Sequence, residues 1–140
     1  MPGRDLVTGV LQLANLLTRR LTPLFEKSGL TPQQWSVLVT IAHAGAPLSL
    51  AALARELLVS KQNMTGMIAR LEQLGVVDRS GDPADLRSSR VYLTRRGRSV
   101  LEKIQPAYDE WLEQLHATLP PRDVAAAERT VERLIAELES

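Results

Sequence analysis

Residues 60–70 include several side chains that are either very small or able to form directed hydrogen bonds. The residues of interest are Ser60, Lys61, Gln62, Asn63, Thr65, Gly66 and Arg70. Glutamine and asparagine pair with the major-groove edge of adenine through two hydrogen bonds, and cations attract phosphate. Unpaired backbone N–H groups at a helix start also favour phosphate. The segment therefore has the chemistry of a surface that binds nucleic acid.

The apolar residues of the same segment predict which side chains face outward. Met64, Ile68 and Leu71 recur at helical spacing and are expected to face the core. The opposite face then carries Gln62, Gly66, Ala69 and Gln73. Glycine inside a helix costs about 1 kcal/mol relative to alanine, but it would let the helix approach the floor of a major groove. Two interpretations stay open: the face binds DNA, or it is ordinary polar surface and Gly66 packs against a neighbouring element.

A second candidate is the ten-residue segment 80–89, which contains Gly, Pro and Asp and is long for a hairpin loop. Arg87 is expected to enter a minor groove, where the potential is most negative over A·T tracts. Arg90 is a candidate for a further DNA contact. Asp85 would be repelled by phosphate, so we expect it to pair with Arg79 or Arg87 and to hold the loop in shape.

Two short helices joined by a tight break position the first group. Ser49 and Ser60 are expected to cap their N-termini, with the break at Leu58–Val59, and Ser49 is also a candidate DNA contact. Gly75 is expected to end the second helix. Short β-branched segments then predict strands at 76–79 and 90–93. The order is typical of a winged helix-turn-helix, a mainly α fold with a small β-hairpin wing.

Amphipathic helices flank this unit on both sides. Their apolar stripes, at 6–21 and 99–138, have no partner in the winged helix large enough to cover them. We therefore expect two copies of the chain to pair, and a dimer would read half-sites about 34–36 Å apart. The chain is interpreted as a single domain over 1–140, with dimerisation helices at 1–28 and 99–140 and a DNA-binding lobe at 30–98.

Charge is distributed unevenly, although the net charge is only +1. Residues 55–98 carry nine basic and five acidic side chains, whereas residues 99–140 carry four basic and nine acidic ones. A basic middle beside an acidic end indicates a local surface for a polyanion. The alternative is a solvated face with a chance asymmetry.

Composition excludes several other classes of protein. The chain has 140 residues, of which 44% are apolar and 24% charged, which excludes a disordered chain and a collagen. It has no cysteine, so thiol catalysis and thiolate metal sites are excluded. Because no catalytic motif or nucleotide-binding loop occurs, we predict neither enzymatic activity nor a cofactor. There is no apolar run of membrane-spanning length and no signal-peptide pattern, so we expect a cytoplasmic protein with no membrane partner.

The ordered set of motifs resembles the MarR (multiple antibiotic resistance regulator) family of winged-helix repressors. The matching segments are LTPQQW at 30–35, LSLAALA at 48–54, LEQLGVVDR at 71–79, DLRS at 85–88 and VYLTRRG at 91–97. The resemblance implies a homodimer that binds a pseudo-palindromic operator in double-stranded DNA, with Arg87 at the wing tip. Leu86 departs from the family pattern, which often has a second basic residue there.

The resemblance also implies a ligand, because family members often bind small phenolic or other aromatic molecules beside the dimer helices. Candidates for such a site are Trp35, His43, Tyr108 and Trp111. At helical spacing among leucines, such residues are also typical of a core. A metal-sensing branch of the family uses histidine and carboxylate ligands instead. The side chains that could converge in that way are His43, His116, Glu113 and Glu26.

The sequence thus predicts a ligand-responsive repressor and leaves two alternatives. One is a winged-helix module that binds protein and not DNA, which would leave the basic loop without a role. The other is a metal-responsive variant of the regulator, although no short histidine motif for zinc occurs. No metal ligand is predicted from local spacing.

Overall fold

The computed structural model describes residues 3–82, 84–85 and 87–139. The elements in chain order are α1 (Leu6–Glu26), α2 (Pro32–His43), β1 (Leu48–Ser49), α3 (Leu50–Leu57), α4 (Lys61–Gln73), β2 (Val77–Ser80), β3 (Arg90–Leu93), α5 (Arg95–His116) and α6 (Pro121–Glu139). The chain divides into two compact units, residues 1–104 and 105–140, and the boundary falls within α5. The mainly α architecture with a small sheet confirms the predicted fold class.

Side-chain caps fix where the helices of the first unit begin. The Ser49 hydroxyl accepts the Ala52 N–H at 3.0 Å, and the Ser60 hydroxyl accepts the Asn63 N–H at 3.0 Å. Both predicted caps are therefore confirmed, and each satisfies one of the N–H groups that a helix start leaves unpaired. Gly75 follows α4 with φ of 76°, a left-handed conformation that glycine adopts without a steric penalty.

The core of the first unit lies where α2, α3 and α4 contact the sheet. Met64, Ile68 and Leu71, the predicted inward face of α4, are all fully buried. Leu53 of α3 and Val91 of β3 are fully buried as well. Complete burial of such side chains contributes about 1.5–3 kcal/mol each, so packing fixes which face of α4 is left for solvent.

The sheet has three antiparallel strands in the order β1-β3-β2 within the described residues. The sequence predicted only β2 and β3, and β1 was missed because two residues are too few to show an alternating pattern. In the register, Leu48 lies opposite Val91 and Ser49 lies opposite Arg90. Strand β1 therefore joins the start of α3 to the base of the wing.

The start of α5 is attached to the turn that follows α4. The Thr94 hydroxyl donates to the Gly75 carbonyl oxygen at 2.6 Å and accepts the Gly97 N–H at 3.0 Å. Gly97 is buried, and a Cβ at that residue would lie 2.1 Å from the Val76 carbonyl oxygen. This close approach requires glycine.

The helices near the two ends of the chain leave large apolar side chains exposed. On α1 these include Leu6, Val7, Leu11 and Leu13. In the second unit, α6 has no buried residue, and Val131, Ile135 and Leu138 are exposed. Helices α1 and α5 continue through Pro23 and Pro106 respectively. Among the residues described, no helix combines the length and the apolar character that a bilayer span needs.

Candidate nucleic-acid interface

Helix α4 presents a polar face to solvent, as its sequence predicted. Gln62, Gly66 and Gln73 are exposed on that face, and Ala69 is partly exposed. Because the opposite face packs into the core, the outward face from Gln62 to Gln73 stays accessible over about 16 Å, the rise of eleven helical residues. That length is roughly half of one helical turn of B-form DNA.

Gly66 faces open space. A Cβ built on it would meet no heavy atom of the described residues within 4 Å, apart from its own helix backbone and chain neighbours. The interpretation that Gly66 packs against a neighbouring element is therefore wrong. Its φ is not in the left-handed region either, so nothing within the described part of the chain requires glycine here. Glycine here lowers the stability of α4 without serving any contact within the described chain. This favours the interpretation that another molecule approaches α4 closely at Gly66.

The turn between α3 and α4 contains a strained residue that the sequence reasoning missed. Leu58 has φ of 58° and ψ of 37°, and the residue is 52% exposed. A left-handed conformation costs a non-glycine residue roughly 1–2 kcal/mol. The Leu58 N–H bonds to carbonyl oxygens of the last turn of α3, and the Val59 N–H bonds to the Ala54 carbonyl at 3.0 Å. The signal in the sequence was only the short break at Leu58–Val59.

Three hydroxyl groups on this surface differ in hydrogen-bond polarity. Ser49 and Ser60 accept backbone N–H groups, so each keeps its own proton for an outside acceptor such as a phosphate oxygen. Thr65 does the reverse, because its hydroxyl donates to the Lys61 carbonyl oxygen at 2.9 Å. Only oxygen lone pairs of Thr65 then remain for a ligand.

Asp85 organises the wing loop through the backbone. Its carboxylate accepts the Arg87 N–H at 2.9 Å, and its carbonyl oxygen accepts the Ser89 N–H at 2.9 Å. The Arg87 backbone hydrogen bond is the main reason why the pKa of Asp85 lies below its usual value of 3.8, and the Ser88 bonds and the Arg87 charge act in the same direction. Asp82 adds a similar turn by accepting the Ala84 N–H at 2.9 Å.

Of the two partners expected for Asp85, Arg87 is the one in contact, and the contact is made by its backbone N–H. Arg79 instead forms a salt bridge of 2.9 Å with Glu72 on α4. Arg90, expected to contact DNA, turns its guanidinium onto the loop backbone and donates to the carbonyl oxygens of Arg87 and Ser89. Arg90 thus shares with Asp85 the task of holding the loop.

Several cations on this side of the first unit are exposed and have no carboxylate within 4 Å in the part of the chain that the structure describes. They include Lys61, Arg70 and Arg87. Unpaired cations leave a positive potential that a phosphate backbone would neutralise. Leu86, the departure from the family pattern, lies outside the described residues.

The four expected ligand contacts have different environments. Trp35 is buried and stacks on Phe25 with ring centroids 5.2 Å apart, which favours a core role. His43 is exposed and lines a cleft of about 390 Å³ between α2 and α3, with Thr40 and Glu56 among its walls. Tyr108 and Trp111 are partly buried on α5 in the second unit.

The histidine and carboxylate side chains form no metal cluster in the described ranges. Neither His43 and Glu26 in the first unit nor Glu113 and His116 in the second belong to a group of three or more such side chains at ligating distance.

Comparison with known proteins gives a consistent result. Residues 28–88 match the family model described as MarR family. The transcriptional activatory protein BadR of Rhodopseudomonas palustris is 42% identical over 108 residues, covering 72% of this chain but only 62% of BadR. The HTH-type transcriptional regulator Mb0904 of Mycobacterium bovis, described as uncharacterized, is 34% identical over 82% of this chain and 77% of its own length.

Solved structures share the fold over almost the entire chain. The Staphylococcus aureus MepR–DNA complex superimposes with a TM-score of 0.84 at 17% identity, covering 99% of each chain. NadR in complex with 4-hydroxyphenylacetate gives a TM-score of 0.77 at 24% identity, covering 96% of this chain and 94% of NadR. At these identities the likeness concerns the fold alone.

Proposed function

The chain belongs to the MarR family of transcriptional regulators, and from this we propose that it binds a pseudo-palindromic DNA operator as a homodimer. The observation that carries the proposal is the outward face of α4. It combines exposed amide side chains, a glycine that nothing within the described chain requires, and neighbouring cations with no carboxylate within 4 Å among the described residues. Helix α4 would enter the major groove, and Arg87 on the wing would reach the adjacent minor groove.

Dimerisation is supported by the apolar side chains that each unit leaves in solvent. Val7 is 68% exposed and Leu11 63% exposed on α1, and Leu138 is 84% exposed on α6. Large apolar side chains that a folded chain leaves exposed on its helices often mark a protein interface. A second copy of the chain supplies a partner of matching character, and a two-fold axis would give two recognition helices for two half-sites.

We further propose that the regulator is a repressor released by a small aromatic ligand. The similar NadR structure contains 4-hydroxyphenylacetate, and this chain has a cleft beside His43 of a volume suited to a single aromatic ring. A ligand changes DNA binding only through its different affinity for two conformers, so it must favour one in which the half-site spacing is wrong. BadR is described as an activatory protein, and activation is the competing outcome.

We propose that the chain acts by binding DNA and not by catalysis, and that it acts in the cytoplasm. Selection of bound duplexes from a random pool tests the proposal most directly, because it reports binding, symmetry and spacing together. We expect a palindrome with half-site centres about one helical turn apart. The logarithm of affinity should fall with the logarithm of salt concentration, with a slope of about −0.9 per phosphate neutralised. Failure to retard any duplex would favour a protein-binding module.

The direction of regulation requires a separate measurement. A reporter driven by the selected operator should be silenced by the protein and restored by 4-hydroxyphenylacetate, used as the probe ligand. If the reporter is instead activated by the protein, the repressor proposal is wrong, although operator binding stands.

A further inference from the structure

We propose that Thr65 is a specificity-determining residue that accepts a hydrogen bond from the exocyclic amino group of one base, so that adenine or cytosine is selected at that operator position. The inference rests on the proposed operator binding and adds to it the identity and polarity of one base contact.

The polarity follows from the hydrogen bond within α4. A hydroxyl group has one hydrogen and two acceptor lone pairs. The Thr65 hydrogen is used by the Lys61 carbonyl oxygen, 2.9 Å from the hydroxyl oxygen, so the outward side of the hydroxyl is an acceptor. Turning the hydroxyl to donate to a base would give up this bond.

The major-groove edges of the bases divide according to the same property. Adenine presents the N6 amino group and cytosine the N4 amino group, and both are donors. Guanine presents O6 and N7 and thymine presents O4, and these are acceptors. An acceptor on the protein pairs with the first two bases and is opposed by the lone pairs of the other two.

Thr65 is also placed where bases are read. It lies in the second turn of α4, partly exposed, on the flank of the face that carries Gln62 and Gly66. The N-terminal residues of a recognition helix are those that contact base edges. Gln62 and Asn63 carry both donors and acceptors on one amide, so either can adapt to several bases. Thr65 has a fixed polarity and discriminates for that reason.

The test compares base preference among closely matched variants. Thr65→Ser keeps the hydroxyl, whereas Thr65→Val keeps the shape and removes the acceptor. Thr130→Val is the control, because Thr130 on α6 makes the same type of bond, to the Ala126 carbonyl oxygen at 2.9 Å. Random-pool selection with each protein reports the preference, and circular dichroism verifies folding.

We expect the wild type, Thr65→Ser and Thr130→Val to disfavour guanine and thymine at one position of each half-site by about three- to tenfold, the range for one net hydrogen bond. Thr65→Val should lose that preference at that position alone. Replacing the selected adenine with purine, which lacks the amino group, or the selected cytosine with 2-pyrimidinone, should weaken the wild type by the same factor and leave Thr65→Val unchanged.

Two outcomes would overturn the inference in different ways. If the wild type selects a duplex but Thr65→Val retains every preference, the assignment of Thr65 is wrong and operator binding stands. If the wild type selects no duplex at all, operator binding itself fails and the assignment fails with it.

Discussion

The guanidinium of Arg79 on β2 lies 2.9 Å from the carboxylate of Glu72 on α4. This salt bridge joins α4 to β2, the first strand of the wing. Both side chains are less than a third exposed, at 22% and 29%, so the pair is screened less than an ordinary surface pair. We expect the pair to help fix the angle at which the wing leaves α4.

Breaking this pair should weaken DNA binding more than it weakens the fold. Arg79→Gln and Glu72→Gln are each expected to cost about 1 kcal/mol or less in unfolding free energy, measured in urea, but to reduce operator affinity severalfold. The double reversal Glu72→Arg with Arg79→Glu should recover part of the affinity. Arg122→Gln is the matched control, since its contact with Asp123 spans 3.9 Å between exposed side chains. Equal affinities for all these proteins would show that the pair does not position the wing.

Gly66→Ala should separate stability from function. Alanine has room, because nothing in the described chain lies within 4 Å of the new methyl group, and it raises helix propensity by about 0.5–1 kcal/mol. We expect a higher denaturation midpoint together with weaker operator binding, since the methyl group would keep α4 away from the groove floor. A variant that is stabilised and binds normally would show that close approach at Gly66 is unnecessary.

Gly97→Ala should lower the stability of the fold, in contrast with Gly66→Ala. Its new methyl group would meet the Val76 carbonyl oxygen at 2.1 Å, so the start of α5 must move away from Val76. We expect a loss of several kcal/mol of stability, at the severe end of single substitutions. Thermal unfolding of Gly97→Ala and Gly66→Ala side by side measures the contrast. Similar midpoints for the two would contradict the contact seen here.

Substitutions of Asp85 separate the effect of its negative charge on DNA binding from the effect of the hydrogen bond that shapes the wing loop. Asp85→Asn keeps an oxygen that accepts the Arg87 N–H but removes a negative charge near phosphate, so operator affinity should rise. Asp85→Ala removes the acceptor, and the looser loop should bind more weakly than that of Asp85→Asn. Mobility-shift titrations at fixed salt concentration provide the comparison. A rise in affinity for both variants would mean that the loop hydrogen bond contributes nothing to binding.

The pH dependence of the wing follows from the depressed pKa of Asp85. Because the folded state holds that pKa below 3.8, the carboxylate stabilises the loop at pH values above 3.8 and stops doing so as the pH falls through the folded value. The wing should therefore be unchanged between about pH 5 and pH 8. NMR titration of the Asp85 carboxyl carbon and the Arg87 amide measures this, and a midpoint above 3.8 would contradict it.

Arg87→Ala should weaken DNA binding because it removes a positive charge close to phosphate or to the minor groove. It should leave the stability of the fold unchanged. Its side chain is exposed and its loop bond is made by the backbone N–H, which the substitution retains. We expect weaker binding and a salt slope about 1 smaller in magnitude, with an unchanged melting temperature. Arg133→Ala, an exposed arginine on α6, is the control. An unaltered slope would exclude Arg87 from the contact.

The sequence predicted the local features that depend on short-range chemistry. Ser49 and Ser60 cap helices because a hydroxyl before an apolar periodic run satisfies the same N–H groups in any protein. The inward face of α4 followed from the spacing of Met64, Ile68 and Leu71. These are properties of one helix and its immediate neighbours in the chain.

Other features depend on residues that are distant in sequence or on three-dimensional competition. From the sequence, Arg79 could form an ion pair with Glu72 or Asp85, or it could face solvent. The folded structure pairs it with Glu72. Strand β1 exists because Leu48 meets Val91, more than forty residues later. The left-handed Leu58 carries none of the glycine or asparagine signal that usually marks such a conformation.

The pairing of Ser49 with Arg90 has a kinetic consequence for a bound complex. The start of α3 and the base of the wing lie on adjacent strands, so we expect them to leave a duplex together, because separate movement would break the pairing of β1 with β3. Dissociation of one lobe should then be a single cooperative event with one dissociation rate constant. The lifetime of the complex on DNA should reflect the summed contacts of both elements.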